Sequence, residues 1–416
     1  MKVLKINGGK TITGTIEIGG AKNSAVALVP AAILSDKTVI SNVPEISDIK
    51  ALEEILTYLG VEYKKNDDKL HIDATNLKNK PITLEHSKLL RASYYFMGAL
   101  LGKFKHAEMY FPGGCTIGER PIDLHLKGFE SLGAKITTEN DKYIIDAKEL
   151  IGTDINLSFP SVGATINLIL AATFAKGTTT IKNAAKEPEV GNVIDFLNSM
   201  GASIKGKDTD TIIIKGNIRL SGGNINTIPD RIEAGTYIIA GVMCGKNLKI
   251  NNVIPKHFQS LIDKLKEMGA QVEVKENFVI ANKSENLKPI NVTTETYPGF
   301  PTDLQQPLTA LLVLANGTST ITETIYENRF QNVKYLNQMG ANIKIDGKKL
   351  IIKGPTTYKN GEVLTTDLRG GAALILAALP AEGLTTIKEV KYVLRGYGNI
   401  IKKLSKVGVE IKLEDV

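Results

Sequence analysis

The residues best suited to chemistry lie in "YFPGGCTIGERPIDLH" (110–125), where Cys115 follows Pro-Gly-Gly and precedes Arg120 by five residues. A thiol beside a guanidinium can be tuned toward the thiolate and can act as nucleophile or acid. It can equally be a small hydrophobe in a loop, and these residues alone leave both readings open. Cys244, in "IIAGVMCGK", falls in an apolar helical stretch and reads as core. Of the five histidines, His125 is close enough to the Cys115 loop to matter, and a structural role suits it better than chemistry. No Cys/His cluster has metal-ligand spacing, so neither a metal nor a cofactor is expected.

Arginines are the second set of candidates. Seven of the 51 basic residues are arginine: Arg91, Arg120, Arg219, Arg231, Arg329, Arg369 and Arg395. Most stand beside Gly, Asp or Pro at element ends, where a rigid guanidinium fork suits phosphate or carboxylate, although one or two brace turns instead. The remaining positive charge is scattered lysine, so the net +7 speaks to solubility as much as to partners.

These residues need a scaffold, and the chain repeats. "YLGVEY", "SLGAKI", "SMGASI", "EMGAQV", "QMGANI" and "KVGVEI" place glycines at 60, 133, 201, 269, 340 and 408, about 70 residues apart. Each glycine follows an amphipathic stretch and precedes an alternating one, which predicts a helix stopped by a C-cap glycine and then a strand. Upstream of each lies a more apolar helix and a strand, as in "LLVLANGTSTITETI". Six helix-strand-helix-strand-strand units form two domains of three, with a crossover near "NTIPDRIEAG", and the opening strand is left over.

Aligning the apolar helices brings Lys22 and Asn23, Arg91, Ser161 to Gly163, Arg231, Asp303, and Asp367 with Arg369 to equivalent positions at helix starts. Ser and Asp there are explained as N-caps. Lys and Arg are not, because the helix dipole disfavours cations at that end, and they point to an anionic ligand. The second unit is longer by an insertion within "PGGCTIGERPID", so Cys115 sits in a loop the other units lack.

The motifs "GAKNSA", "LLRASYYFMGALLG", "PGGCTIGERPIDLHLKGFESLGA", "FPSVGAT", "IPDRIEAGTY", "YPGFPTDLQQPLTALL", "ETIYENRF", "TDLRGGAAL" and "RGYGNI" occur in order, nearly end to end. Together they resemble the UDP-N-acetylglucosamine 1-carboxyvinyltransferases of the enolpyruvyl transferase family. The resemblance implies an α/β fold, a two-domain inside-out α/β barrel of six repeats, three per domain. One domain would span 22–229, and the other 1–21 plus 230–416, with the active site in the cleft between them. It also implies transfer of the enolpyruvyl group of phosphoenolpyruvate to the 3′-hydroxyl of UDP-N-acetylglucosamine. Phosphate is released through a tetrahedral intermediate, in the first committed step of peptidoglycan precursor synthesis, on which cell shape and division depend.

Carried over by motif, Cys115 resembles the thiol that protonates the phosphoenolpyruvate methylene, forms a covalent adduct with that substrate, and is alkylated by fosfomycin. Lys22, Arg120 and Arg395 resemble the phosphoenolpyruvate clamp, with Asn23 and Arg369 beside them. Asp303 resembles the carboxylate that binds the sugar hydroxyl and takes its proton. Arg91, Arg120, Pro121, Ile122, Asp123, Leu124, Ser161, Val162, Gly163, Asp303 and Ile325 resemble the nucleotide-sugar contacts. Acid and base on opposite domains imply that closure completes the site.

Some positions depart from the family pattern. Thr116 and Glu119 stand in the Cys115 loop, and Glu119 puts a carboxylate beside Arg120, an arrangement that would either raise the Cys115 pKa or weaken phosphate binding. Gly191-Asn192 replaces a more usual Val-Asp pair, and Phe159 stands where some members carry lysine.

Two other readings compete. A 5-enolpyruvylshikimate-3-phosphate synthase would share the fold, but the PGGC loop and "FPTDLQQP" argue against it. A basic repeat scaffold binding nucleic acid is disfavoured because the arginines gather at helix starts instead of lining one face, so no nucleic-acid partner is expected. The longest apolar run, "AVALVPAAIL", is too short for a membrane span, and "MKVLKINGGKTITG" lacks a signal-peptide core. Two cysteines make no disulfide framework, and the expected location is the cytoplasm.

Overall fold

All six spaced glycines follow a helix C-cap and take the left-handed backbone that only glycine adopts without strain: φ is 78° at Gly60, 94° at Gly133, 101° at Gly201, 79° at Gly269, 98° at Gly340 and 97° at Gly408. The residue after each donates its N–H five positions back, as from Val61 to Leu56 and from Val409 to Leu404. These bonds satisfy carbonyls the helix leaves open and turn the chain into the next strand. The computed structural model describes residues 2–110 and 122–415.

The described residues form a mixed α/β fold with six sheets, none closed into a barrel. Five are four-stranded with one arrangement. In one of them Asn291–Thr293 runs parallel to Gly317–Thr322, which pairs antiparallel with Lys349–Gly354, which pairs antiparallel with Ile343–Asp346. The sixth has His106–Tyr110, Lys142–Asp146 and Lys135–Glu139, and a single parallel bridge from Ile82 to Met109 stands at its edge.

The opening strand finds its place through distant partners. Lys2–Gly8 lies between Gly383–Lys388 and Glu410–Asp415, antiparallel to both, with Leu4 opposite Ile387 and Leu413. The segments leading into the helices at Lys22 and Arg231 are exchanged. Thr15–Glu17 pairs with Leu248–Asn251, whereas Asn224–Asn226 pairs with Lys37–Ser41.

The described chain separates into two compact units, 2–19 with 229–415 and 20–110 with 122–228. In the second, the helices Lys22–Ala32, Tyr95–Phe104 and Val162–Ala172 pack together and are buried over most of their length. In the first, Arg231–Cys244, Thr302–Leu312 and Leu368–Ala378 do the same. Helices apolar on all sides must be buried, so they form the centre and the alternating strands lie outside them.

Three asparagines tie the sheets to the helix starts. Asn42, Asn183 and Asn252 all take positive φ at strand ends. Their amides donate to the carbonyls of Thr227 at 2.8 Å, Leu157 at 2.8 Å and Ile18 at 2.7 Å. Asparagine tolerates this backbone because its short side chain bonds locally.

Candidate functional site

The candidate residues are held in two clusters, one in each unit. In the unit containing 20–110, Lys22 opens the first apolar helix, whose N-cap residue Ala21 offers no side-chain cap. Its Nζ lies 2.8 Å from Asp48 Oδ2, and the two side chains are 14% and 3% exposed. Asp48 stands in the first turn of Ser47–Tyr58, where a carboxylate is favoured by the dipole. The cation at the Lys22 helix start is therefore balanced by a protein carboxylate. Asn23 is half-buried beside it. Ser24 donates to Asn192 Oδ1 at 2.5 Å. The Asn192 amide donates to Asn226 O at 3.2 Å, a bond an aspartate could not make, and its Oδ1 accepts from Ile228 N at 3.2 Å. Gly191 leaves room for Asp208 and Lys207, each of which has an atom 3.0 Å from where a Cβ would stand.

Arg91 begins the short 3-10 helix Arg91–Tyr94 and is half-buried. Its positive charge helps keep His125 neutral: burial, then Arg91, push that imidazole down to about 3, although Asp123 opposes them. His125 accepts no proton at neutral pH and is packed edge-on to Tyr94 with ring centroids 5.1 Å apart. Ser161 caps Val162–Ala172 by accepting from Ala164 N at 3.3 Å. Gly163 abuts Tyr94 and His125, which a Cβ would meet at 2.9 and 3.0 Å. Ile122 is buried and Leu124 half-buried against the core, whereas Asp123 is exposed and 3.7 Å from Lys127. Phe159 is exposed, and its carbonyl accepts from Ser161 N at 2.7 Å.

In the other unit Asp303 is the hub. It occupies the first turn of Thr302–Leu312 and is ion-paired to Arg329 and, at 3.0 Å, to Arg369. Both arginine side chains are buried, at 2% and 3% exposure, whereas Asp303 keeps 27%. Burial disfavours the Arg369 charge, but Asp303, Tyr397 and Asp230 outweigh it and hold that guanidinium above its ordinary value. Arg369 stacks over Tyr397 at 5.2 Å, and Tyr397 shares a 2.9 Å hydrogen bond with Thr236. Asp367 caps its helix, accepting from Arg369 N and Gly370 N at 3.0 Å, and also accepts from Gln306 at 3.0 Å. Arg395 ends the short helix Lys391–Leu394 and is half-buried.

Sequence reasoning gave no role to Asp48 or Glu323, and counted Arg329 only among the seven candidate arginines. Asp48 and Arg329 carry the counter-charges described above. Glu323, 1% exposed, accepts from Thr294, Thr302, Ile325 N and Tyr326 N, and so fixes the turn that presents Ile325. Arg329 had a signal in "ETIYENRF"; an acidic residue in an amphipathic helix or strand offers none. Cys115, Thr116, Glu119, Arg120 and Pro121 lie outside the described residues.

Chemically, a lysine, several arginines and helix starts favour an anionic substrate, and Asp303 is a carboxylate held in place by two guanidinium groups. Among the described residues there is no His/Cys/Asp/Glu group able to hold a metal ion, and no helix long and apolar enough to cross a membrane.

Comparison with known proteins gives four matches. A sequence profile for EPSP synthase (3-phosphoshikimate 1-carboxyvinyltransferase) matches residues 6–404. The chain is 50% identical over 409 residues to UDP-N-acetylglucosamine 1-carboxyvinyltransferase 2 of Listeria monocytogenes, covering 98% of this chain and 97% of that one. Among solved structures it resembles the enolpyruvyl transferase NikO from Streptomyces tendae, with TM-score 0.90 and 27% identity over 100% of this chain and 99% of that one. EPSP synthase from Acinetobacter baumannii shares the fold alone, with TM-score 0.76 and 19% identity over the whole of both chains.

Proposed function

The chain belongs to the EPSP synthase family of carboxyvinyltransferases, and we propose that it transfers the enolpyruvyl group of phosphoenolpyruvate to the 3′-hydroxyl of UDP-N-acetylglucosamine. The observation that carries the choice of acceptor is the 50% identity, over nearly the whole of both chains, to a relative named for that reaction. The residues within each unit are compatible with it: Lys22 offers a largely buried ammonium in one, and in the other Asp303 is a carboxylate fixed between two buried guanidinium groups, residue types that suit an anionic donor and a hydroxyl acceptor.

In this reading Asp303 accepts the proton of the sugar hydroxyl as its oxygen bonds to C2 of phosphoenolpyruvate, while Cys115 delivers a proton to the methylene carbon. The resulting tetrahedral intermediate then loses a proton from that carbon, the C–O bond to phosphate breaks, and inorganic phosphate leaves. Lys22, Arg120 and Arg395 hold the phosphate, with Asn23 and Arg369 beside them. Arg91, Ile122 to Leu124, Ser161 to Gly163 and Ile325 hold the nucleotide sugar. Arg329 and Arg369 hold Asp303 in place through their two ion pairs. The six-repeat, two-domain reading belongs to the same proposal. Six left-handed C-cap glycines and the shared order of five sheets support it. Peptidoglycan precursor synthesis in the cytoplasm is the setting this implies.

The test is phosphate release by the purified protein with phosphoenolpyruvate and either UDP-N-acetylglucosamine or shikimate 3-phosphate, with and without fosfomycin. Release with the nucleotide sugar, abolished by fosfomycin, is expected. Turnover with shikimate 3-phosphate alone would overturn the choice of acceptor.

A further inference from the structure

His125 is packed as though core, yet its hydrogen bonds leave one polar atom in an unusual place. Gly98 N–H donates to Asn167 Oδ1 at 2.8 Å, which fixes the orientation of that amide. The Asn167 Nδ2 group then faces His125 Nδ1 at 2.9 Å. An amide NH2 can only donate, so Nδ1 accepts and the ring proton resides on Nε2. Gly98 is required for this arrangement, because a Cβ there would fall 2.6 Å from Asn167 Oδ1 and 2.4 Å from its carbonyl oxygen.

The Nε2 edge of the ring lies against the N-terminus of Val162–Ala172. From the place a Cβ would take on Gly163, His125 Nε2 is 3.1 Å away and the Tyr94 hydroxyl 2.9 Å. Ser161 Oγ serves Ala164 N, and the first amides of a helix have no intrahelical acceptor. Among the described residues nothing accepts the Nε2 proton, although the side chain is 4% exposed overall. The groups around the ring are Arg91, Asp123 and Tyr94, and burial with Arg91 keeps it uncharged. A donor without a protein acceptor, on an otherwise buried ring, thus lies beside a helix N-terminus, where donors and dipole already favour an anion.

We propose that His125 binds the nucleotide sugar as a neutral hydrogen-bond donor, giving its Nε2–H to a phosphate oxygen seated at the start of the Val162–Ala172 helix. The proposal rests on the UDP-N-acetylglucosamine reading above. A neutral donor suits this place because a second cation beside Arg91 would oppose both that charge and the helix dipole. Asn167 and Gly98 act through His125 by setting its tautomer.

Two substitutions separate this from a packing role. His125→Gln puts an amide NH2 near the Nε2 position, whereas His125→Asn puts polar atoms near Nδ1 and removes the distal donor. Calorimetric titration with UDP, and with UDP-N-acetylglucosamine, is expected to show about tenfold weaker binding for the Asn and Phe variants, in the range of one hydrogen bond to a charged group. The Gln variant is expected to recover most of the affinity. In turnover assays the loss falls on KM for the nucleotide sugar, with kcat and KM for phosphoenolpyruvate little changed. If His125→Asn binds as wild type while His125→Gln is weak, the ring serves only Asn167 and the proposal is overturned. Should the Phe variant not fold, the Gln and Asn pair decides alone. UDP binding that follows the expected pattern, in a protein that does not turn over phosphoenolpyruvate, would sink the transferase reading and leave the His125 contact standing.

Discussion

Asp303→Asn is the most informative single substitution, because it perturbs folding and catalysis through one atom group. Asp303 accepts from Arg329 and Arg369, whose side chains are 2% and 3% exposed. At an effective dielectric constant near 20, a carboxylate 3 Å from a guanidinium interacts by about 5 kcal/mol. Desolvation of the group cancels much of this while the cluster is complete. Removing the shared carboxylate leaves two neighbouring buried cations without that counter-charge, a change that costs about 3–5 kcal/mol. The asparagine carbonyl can still accept one bond, so the lower end is expected. The urea midpoint should then fall by roughly 1–1.5 M for a slope of about 2–3 kcal/mol/M. Added phosphate should restore part of the loss by binding near the exposed cations, more in the variant than in wild type. Turnover should drop about 10²–10⁴-fold with the loss of the base. A double-mutant cycle with Arg329→Met should give a coupling energy of about 1 kcal/mol or more. An unchanged urea midpoint together with no coupling to Arg329 would refute the argument that Asp303 is the charge holding this cluster together.

Other expected outcomes follow from the same structure. Asp48→Asn removes the carboxylate 2.8 Å from Lys22, and phosphoenolpyruvate KM should rise at least tenfold while UDP affinity holds, which steady-state kinetics and titration can check. His106 is raised above its ordinary value: burial opposes the charge, but Asp146 at 2.5 Å and Glu108 outweigh it. Its contribution to stability is therefore fully present below the unfolded pKa of about 6.5 and lost as pH rises through the higher folded value. Urea midpoints from pH 6 to 8 should fall less steeply in His106→Gln. Burial pushes the Cys244 thiol up to about 12, so mass spectrometry after fosfomycin treatment should find a single adduct, on Cys115, and none on Cys244.

How much of this was legible depends on the range of each interaction. The helix ends were readable because the left-handed turn at Gly60 or Gly408 selects one residue type at one place. Lys22, Arg91, Ser161 and Asp303 were readable as helix starts because capping and dipole effects act within a turn. Long-range pairing was not legible in the residues themselves. Nothing near Lys2–Gly8 says that its neighbours are the strands at 383–388 and 410–415. The inference that helix-start cations await an external anion was incomplete, because Lys22 already faces Asp48 and Arg369 faces Asp303, 66 residues away. A carboxylate in such a pair has no period to betray it. The asparagines at 42, 183 and 252 did carry a signal, since each precedes a small apolar residue at a strand end, but their amide contacts are visible only in three dimensions.

The central claim is enolpyruvyl transfer to UDP-N-acetylglucosamine, and the identity of the product tests it most directly. Proton NMR of a reaction with both substrates should show new vinyl signals on the sugar 3′-oxygen, in step with phosphate release. The signals should persist in Cys115→Asp, which fosfomycin should no longer alkylate, and largely vanish in Cys115→Ser. Full activity of Cys115→Ser would remove the thiol from the role of acid. Phosphate released without an enolpyruvyl nucleotide sugar would contradict the account itself.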